Sequence, residues 1–203
     1  MKIRKGTKED VDFLASVVIE AIGLELSIGL AGSEERLPLV KALFTCLAAY
    51  PESQYSYRNS FIAVSDEGKP IGGIIAYDGA CLHKLRKAFI REANRILGWN
   101  VTEEESEEWG DEAEPGEIYI DSLYVVPEMR KQGVASDLIK VVEETFKPSG
   151  KPLGLLVEPE NRVAFATYNR RGFKDVGISN FFQTPMIHMQ KSQATDPDNL
   201  AKI

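Results

Sequence analysis

Apolar residues recur every three or four positions in five segments of the chain, which predicts five helices. The first helix follows Thr7 and Asp10, a pair with the spacing of a helix N-cap, and the second follows Ser33 and ends before Pro51. The last predicted helix ends at Gly172. The five apolar faces lie within residues 11–22, 37–48, 82–96, 134–146 and 162–171.

Shorter apolar segments between these helices predict β-strands. The segments 61–64 and 71–76 flank a turn rich in Asp and Gly, so they predict an antiparallel hairpin whose second strand is central. A strand from Glu117 to Val126 changes its alternation at Asp121 and Ser122, which predicts a β-bulge there. The other predicted strands are residues 3–4, 153–157, 173–176 and 186–189.

The segment 79–115 departs from this regular order. It begins with a basic, helical pattern and ends with eight carboxylates within residues 103–114. Charge repulsion predicts that the acidic half is a solvated or mobile loop unless cations neutralise its carboxylates. The neighbouring basic helix is the nearest source of such cations.

Composition narrows the class of protein. The 203 residues carry 31 acidic and 24 basic side chains, a net charge of −7, which counts against nonspecific nucleic-acid binding. Uninterrupted apolar stretches are far shorter than a membrane span needs, and the N-terminus lacks the pattern of a secretion signal, so we expect a cytoplasmic protein without membrane contact. Cys46 and Cys81 are expected to be reduced, and no residue spacing indicates a metal site.

The segment VVPEMRKQGVA, residues 125–135, has the chemistry of an anion-binding loop. Gly133 permits a sharp turn at the start of a helix, where free N–H groups and the helix dipole favour a phosphate. Arg130 and Lys131 add positive charge. An ordinary strand-to-helix turn with solvated cations stays an alternative, because the usual phosphate-loop signatures are absent.

A second segment, NRVAFATYNRRGF at residues 161–173, follows Gly133 by 28 residues. The two segments together resemble the GNAT superfamily of acyl-CoA-dependent N-acetyltransferases. Arg130, Gly133 and Ala135 match the pyrophosphate-binding pattern of that family. Asn161, Ala164, Tyr168, Gly172 and Phe173 match its later motif. The segment 79–115 is an insert relative to the usual family pattern.

The resemblance implies an α/β domain with a mixed, mostly antiparallel sheet and helices on both faces. Residues 1–191 are expected to form this single GNAT-like domain, with the insert 79–115 between two central strands, and residues 192–203 are expected to form a loosely ordered tail. The strands that carry Val125 and Leu155 are expected to be parallel neighbours that splay apart around the pantetheine arm. Expected acetyl-CoA contacts are Val125, Val126, Arg130, Lys131, Gln132, Gly133, Val134, Ala135, Ser136, Asn161 and Tyr168.

Three residues are candidates for proton transfer. Tyr168 is the candidate acid for the thiolate leaving group, with a packing role as its alternative. Asp121 and Glu117 are candidate bases for the protonated amine, and Asp121 is preferred because it lies nearer the expected acetyl position. Asn161 has an alternative as a plain helix cap.

The expected reaction is transfer of acetyl to a primary amine by direct attack, without a covalent enzyme intermediate. A small-molecule amine or a protein amine serves as acceptor, and the acidic insert favours a cationic one. Two alternatives stay open: acetylation of protein N-termini or lysines, and a CoA-binding regulatory module without catalysis. A homodimer is also left open.

Overall fold

The computed structural model of the protein describes residues 1–182 and 184–193. Within these residues the chain forms seven strands and six α-helices. The strands are β1 (Lys2–Lys5), β2 (Ser60–Val64), β3 (Pro70–Asp78), β4 (Ile118–Val125), β5 (Leu153–Val157), β6 (Lys174–Phe181) and β7 (Thr184–Lys191). The helices are α1 (Val11–Ala31), α2 (Leu37–Ala49), α3 (Leu82–Leu97), α4 (Glu103–Glu107), α5 (Val134–Phe146) and α6 (Arg162–Arg170).

The strands form one mixed sheet in the order β1-β2-β3-β4-β5-β7-β6. The neighbours β4 and β5 are parallel, and the other pairs are antiparallel. The predicted hairpin is confirmed, since Phe61 faces Ile74 and Ile62 faces Gly73. The predicted mixed, mostly antiparallel sheet is confirmed as well.

Helices cover both faces of the sheet, and strand periodicity divides the core between them. Ile62 and Val64 pack with α1, α2 and α3, whereas Phe61 and Ala63 face α5. Two adjacent glycines of β3 bring the helices close. A Cβ atom at Gly72 would lie 3.1 Å from Val134, and one at Gly73 would lie 2.8 Å from Val17. The first turn of α5 is therefore held directly on the sheet.

Helix α1 is longer than its pattern predicted. It continues from residue 22 to Ala31 across a kink at Gly23, where φ is 76° and ψ is 174°. The stretch Lys8–Ala31 contains an 18-residue window with a mean hydropathy of 1.9, so it is long and apolar enough to cross a membrane by length and composition. The short uninterrupted apolar stretches of the sequence did not predict a first helix of this length and hydropathy. Leu14, Val17 and Leu30 are buried in the protein, so core packing accounts for part of the apolar pattern, whereas Leu24 is 63% exposed.

The insert is folded against the domain. Ala88, Phe89 and Ala93 of α3 are buried in the core shared with α1 and α2. Farther along, the Trp109 ring stacks on Phe182 with centroids 4.9 Å apart, and the Phe182 N–H donates to the Trp109 carbonyl over 2.8 Å. The expectation of a solvated acidic loop holds for the exposed carboxylates of α4, whereas Glu112, which is 4% exposed and pairs with Arg86, is the expected exception in which a cation neutralises the charge.

Basic side chains of α3 pair with carboxylates in the acidic half of the insert, as expected. Lys87 pairs with Glu103 over 2.6 Å, and His83 Nε2 lies at hydrogen-bond distance, 3.0 Å, from a carboxylate oxygen of Asp111. The buried Arg86 pairs with Glu112. These contacts explain why a segment of such charge density can pack.

The predicted ends of α5 and β5 are confirmed, and the last two strands extend beyond their predicted bounds. They form a long hairpin in which Ile178 pairs with Ile187. The predicted loose tail comprises residues 192–203. Its residues from position 194 onward lie outside the part of the chain that the structure describes.

Candidate active site

The site lies where β4 and β5 separate. The two strands pair at Ile118 with Leu153 and at Tyr119 with Gly154. Beyond these pairs they border a cavity of about 540 Å³. The cavity runs between α1, the two strands, α5 and α6, and the insert contributes Glu112. The splayed parallel pair expected from the sequence is therefore present.

At one end of this cavity, the first turn of α5 presents free backbone donors. Its N-cap is Gly133, at φ 88°, and no side chain in the described part of the chain caps the helix. A Cβ atom at Gly133 would meet nothing within 4 Å, so its outer side is open to a ligand. An uncapped N-terminus with open space in front is a favourable anion site.

Two guanidinium groups flank this helix start. Arg130 Nε donates to the Val125 carbonyl over 3.0 Å, and Arg171 Nη2 donates to Ser136 Oγ over 2.7 Å. Both arginines line the cavity. Arg171 was missed in the sequence, where tandem arginines after a helix are typical of a solvated surface. Its Nη1 bond to the Thr167 carbonyl, over 3.0 Å, directs it inward.

Not every residue of the predicted cofactor set reaches the cavity. Those that line it are Val125, Arg130, Ala135, Asn161 and Tyr168. The N–H of Val126 donates to the Ile71 carbonyl of β3 over 3.0 Å, and a contact of Val126 with acetyl-CoA through its other atoms stays a prediction. Lys131, Gln132 and Gly133 form the turn beside the cavity, Val134 is the first residue of α5, and Ser136 accepts from Arg171, which lines the cavity.

Tyr168, on α6, directs its ring against Phe173 with centroids 5.7 Å apart at 70°. Burial raises the pKa of its phenol above the usual value. The group is therefore protonated at neutral pH and can donate a proton inside the cavity. Asn161 begins the same helix, and its Oδ1 accepts from the Ala164 N–H over 3.0 Å. The plain capping role of Asn161 is thus present, and its amide nitrogen stays available to a ligand.

Asp121 lies at the bulge that its sequence position predicted. Ile75 faces Ser122 while Ala76 faces Ile120, which leaves Asp121 as the extra residue of β4. Ser122 Oγ donates to its carboxylate over 2.8 Å, and the Tyr77 hydroxyl lies 3.4 Å away. Burial and then the negative charge of Glu112 raise the pKa of Asp121 to about 7. A carboxylate of this kind can accept a proton near neutral pH.

Glu117 is not brought to this cavity. It is fully buried, and its carboxylate accepts from His188 Nε2 and Gln190 Nε2, both over 2.9 Å. Its other oxygen accepts from the Glu114 N–H over 3.0 Å. The hydrogen bond to Glu117 raises the pKa of His188. These bonds join the end of the insert to β7, and Glu117 has no place in the proton transfer proposed below.

Sequence reasoning missed much of the opposite end of the cavity. Glu20 and Leu26 of α1 line it on either side of the Gly23 kink. Tyr55, Glu112 and Tyr119 complete the wall around Asp121. This end combines three carboxylates with phenol rings, a composition suited to a cation.

Comparisons with known proteins agree with this geometry. A model of the acetyltransferase (GNAT) family matches residues 35–173. A curated acetyltransferase of Agrobacterium fabrum is 36% identical over 62 residues, which cover 30% of this chain and 44% of that protein. The match thus spans less than half of that relative's length.

Solved structures are similar over nearly the whole chain. One acetyltransferase structure is 27% identical, with a TM-score of 0.70, and the match covers 96% of this chain and 100% of that one. An N-acetyltransferase from Staphylococcus aureus Mu50 is 19% identical, with a TM-score of 0.70 and coverage of 94% and 100%. A PaiA N-acetyltransferase from Thermoplasma acidophilum, solved with coenzyme A, is 18% identical, with a TM-score of 0.57 and coverage of 94% and 98%.

Proposed function

The chain belongs to the GNAT acetyltransferase family and is an acyltransferase, and from this premise we propose that it transfers acetyl from acetyl-CoA to a cationic primary amine. The observation that carries the proposal is the pairing of two groups in one cavity. Asp121 has a pKa of about 7, and the Tyr168 phenol has its pKa raised by burial. One can accept a proton and the other can donate one.

The residues at the start of α5 fit acetyl-CoA. Open space at Gly133, the uncapped helix and the side chains of Arg130 and Arg171 suit a pyrophosphate. Val125 lies on the separated part of β4, where its backbone can bond an extended arm. Bound acetyl-CoA supplies an activated thioester. The described residues contain no cluster suited to a metal ion, and the proposal needs none.

Asp121 has the task of removing a proton from the acceptor. An alkylammonium group has a pKa of about 10.4, so it lacks a free electron pair at neutral pH. A carboxylate at its ordinary pKa would be a weak base for this proton. With a pKa of about 7, Asp121 is a stronger base and is still largely ionised in a mildly alkaline solution.

Tyr168 has the opposite task, donation of a proton to the departing thiolate. Its phenol lies in the cavity lining, beside the strands that separate. The Phe173 ring supports the Tyr168 ring at its edge, which fixes the direction of the hydroxyl. A positioned acid of this kind contributes roughly 10²–10⁴-fold to a rate.

The acceptor end favours a positive charge. Glu20, Glu112 and Asp121 line the cavity together with the rings of Tyr55 and Tyr119. Carboxylates attract an ammonium group, and aromatic faces bind cations by about 0.5–2 kcal/mol. A free amine and the amino group of a protein share this chemistry.

An acceptor screen tests the proposal. Thiol release from acetyl-CoA is measured with polyamines, amino sugars and simple alkylamines, and in parallel with peptides that carry a free N-terminus or a lysine. We expect turnover with cationic small amines. Turnover with peptides alone would move the acceptor class to proteins. Tight acetyl-CoA binding by calorimetry without turnover on any acceptor would indicate a regulatory module.

A further inference from the structure

The insert places a buried ion pair against the proposed acceptor end. Arg86 of α3 is 3% exposed, and it donates to Glu112 and, over 3.0 Å, to the Gly110 carbonyl. Asp111 adds a second carboxylate 3.2 Å from Arg86. A buried ion pair costs desolvation free energy, so the pair is weak support for stability by itself. Its position beside the cavity suggests another use.

Gln54, in the segment between α2 and β2, connects this pair to the site. Its side chain is 3% exposed, and Nε2 donates to Glu112 Oε1 over 3.1 Å. The same side chain lies near Asp121, where it favours the ionised carboxylate. Gln54 Oε1 has no hydrogen-bond partner among the described residues. A buried carboxamide left partly unsatisfied is costly, which argues for a role other than packing.

We propose that Glu112, delivered by the insert, is a positioning residue that sets the protonation of Asp121 together with Gln54. This inference rests on the proposed function, in which Asp121 removes the proton from the acceptor. Arg86 holds the Glu112 carboxylate in place, Gln54 donates to the same carboxylate, and Glu112 lines the cavity together with Asp121. The insert then controls the pH range of the enzyme as well as one wall of its cavity.

The two partners act on Asp121 in opposite directions. The negative charge of Glu112 makes ionisation of Asp121 less favourable, whereas the amide of Gln54 makes it more favourable. Other groups that face Asp121 are neutral hydroxyls: Ser122 of β4, Tyr77 of β3, and Tyr119 and Tyr55 on the cavity wall. Glu20 of α1 lies on the same cavity. Glu112 is thus the charged neighbour that the insert adds.

The test is the pH dependence of kcat/KM with one cationic amine. The acidic limb of the wild-type profile reports the free enzyme's base. In Glu112→Gln this limb should move to lower pH by roughly half to one unit, because a like charge is removed. In Gln54→Leu it should move to higher pH. Glu108→Gln, an exposed carboxylate of the same insert, should leave the limb in place.

One further variant keeps the test decisive. Glu112→Gln leaves Arg86 without a buried carboxylate partner, so the double variant Arg86→Gln with Glu112→Gln removes both charges while the site stays polar. It should shift the limb in the same direction but by less, because Glu112 lines the cavity and Arg86 does not. Folding of each variant is checked by thermal melting and acetyl-CoA binding. An unmoved acidic limb in folded Glu112 variants, or shifts of the same sign in Glu112→Gln and Gln54→Leu, would overturn the inference.

Asp121→Asn separates this inference from the proposed function. It should abolish the acidic limb and lower kcat/KM by roughly 10²-fold or more. Full activity in Asp121→Asn would show that Asp121 is not the base, and the proposed mechanism would fail with the inference. Loss of activity in Asp121→Asn together with an unmoved limb in the Glu112 variants would retain Asp121 as base and reject only the role of the insert.

Discussion

The two ends of the cavity are built in different ways. The anion-binding end is built mainly from one continuous segment, residues 130–136, in which backbone geometry at Gly133 and the start of α5 provide the donors, and Arg171 joins it from the end of α6. The acceptor end is lined by side chains from four separate parts of the chain: α1, the segment that contains Tyr55, the insert and β4. A continuous segment leaves a motif in the sequence. A wall assembled from distant segments leaves none, because each of its residues looks ordinary among its own neighbours.

The difference extends to what each end can recognise. Backbone N–H groups at a helix start can bind phosphate without particular side chains, so recognition at the anion-binding end depends mainly on the backbone at Gly133. Recognition at the acceptor end depends instead on carboxylate and phenol side chains from several segments. Glu112 illustrates this, since it reaches the cavity through an insert whose fold depends on Arg86 and on Trp109 packing against Phe182.

The largest effect is expected at Tyr168, which lies between the two ends. Tyr168→Phe keeps the ring and its edge contact with Phe173 but removes the proton donor. We expect kcat to fall by roughly 10²-fold, and kcat/KM with it, while acetyl-CoA affinity stays unchanged. Acceptors of different basicity should lose activity alike, because the lesion is in thiolate departure.

Tyr124→Phe serves as the comparison for this variant, since Tyr124 also lines the cavity and lies under the Arg130 guanidinium at 5.7 Å. It should retain most of the turnover. If Tyr168→Phe instead keeps full turnover and melts several degrees lower, Tyr168 is a packing residue. A large loss in Tyr124→Phe would then assign the acid to Tyr124.

A smaller effect is expected at the anion-binding end. Gly133→Val places a side chain in the open space before α5 and strains a backbone at φ 88°. The loss of one hydrogen bond to a charged group costs about 1.5–3 kcal/mol, so acetyl-CoA affinity should fall tenfold or more. Isothermal titration calorimetry measures this directly.

Gly150→Val is the matched control for backbone strain. Gly150 also has a positive φ, of 67°, and open space around its Cβ position, but it lies beyond the far end of α5. Both variants should lose a similar amount of thermal stability, and only Gly133→Val should lose cofactor affinity. Equal cofactor affinity in the two variants would contradict the assignment of the anion site.

The sequence predicted those features that depend on local chemistry. The ends of α5 and β5, the hairpin of β2 and β3, and the bulge at Asp121 follow from periodicity and turn residues, and the structure confirms them. The extension of α1 across Gly23 was missed, because a glycine and a change in the apolar pattern are typical of a helix end. Here the packing of Leu30 in the core continues the helix.

The candidate site divides in the same way. Arg130, Gly133 and Tyr168 lie in motifs with fixed spacing, whereas Arg171, Gln54 and Glu112 were found only from their contacts. Glu117 was a candidate base because it precedes the bulge on the same strand. Position along the chain does not determine how deeply a side chain is buried. The Glu117 carboxylate is fully buried against Gly154, where the missing side chain leaves room for it, and it does not line the cavity.

The smallest effect concerns stability at the acceptor end. The pKa of Asp121 is raised to about 7 in the folded protein from its ordinary value of 3.8. The folded state therefore holds the proton more tightly than the unfolded state, and the stability of the wild-type protein should fall as pH rises from about 4 to 7. Asp121→Asn removes this dependence. Its melting temperature should exceed that of the wild type by a few degrees at pH 8, on the scale of about 2–4 °C per kcal/mol, and by less at pH 5.

Glu108→Gln, which removes an exposed carboxylate, is the control. Its difference in melting temperature from the wild type should be the same at pH 5 and at pH 8. A wild-type protein that melts at the same temperature as Asp121→Asn across this range would mean that Asp121 ionises with its ordinary pKa, and the assembled wall of the acceptor end would then not perturb the group that it surrounds.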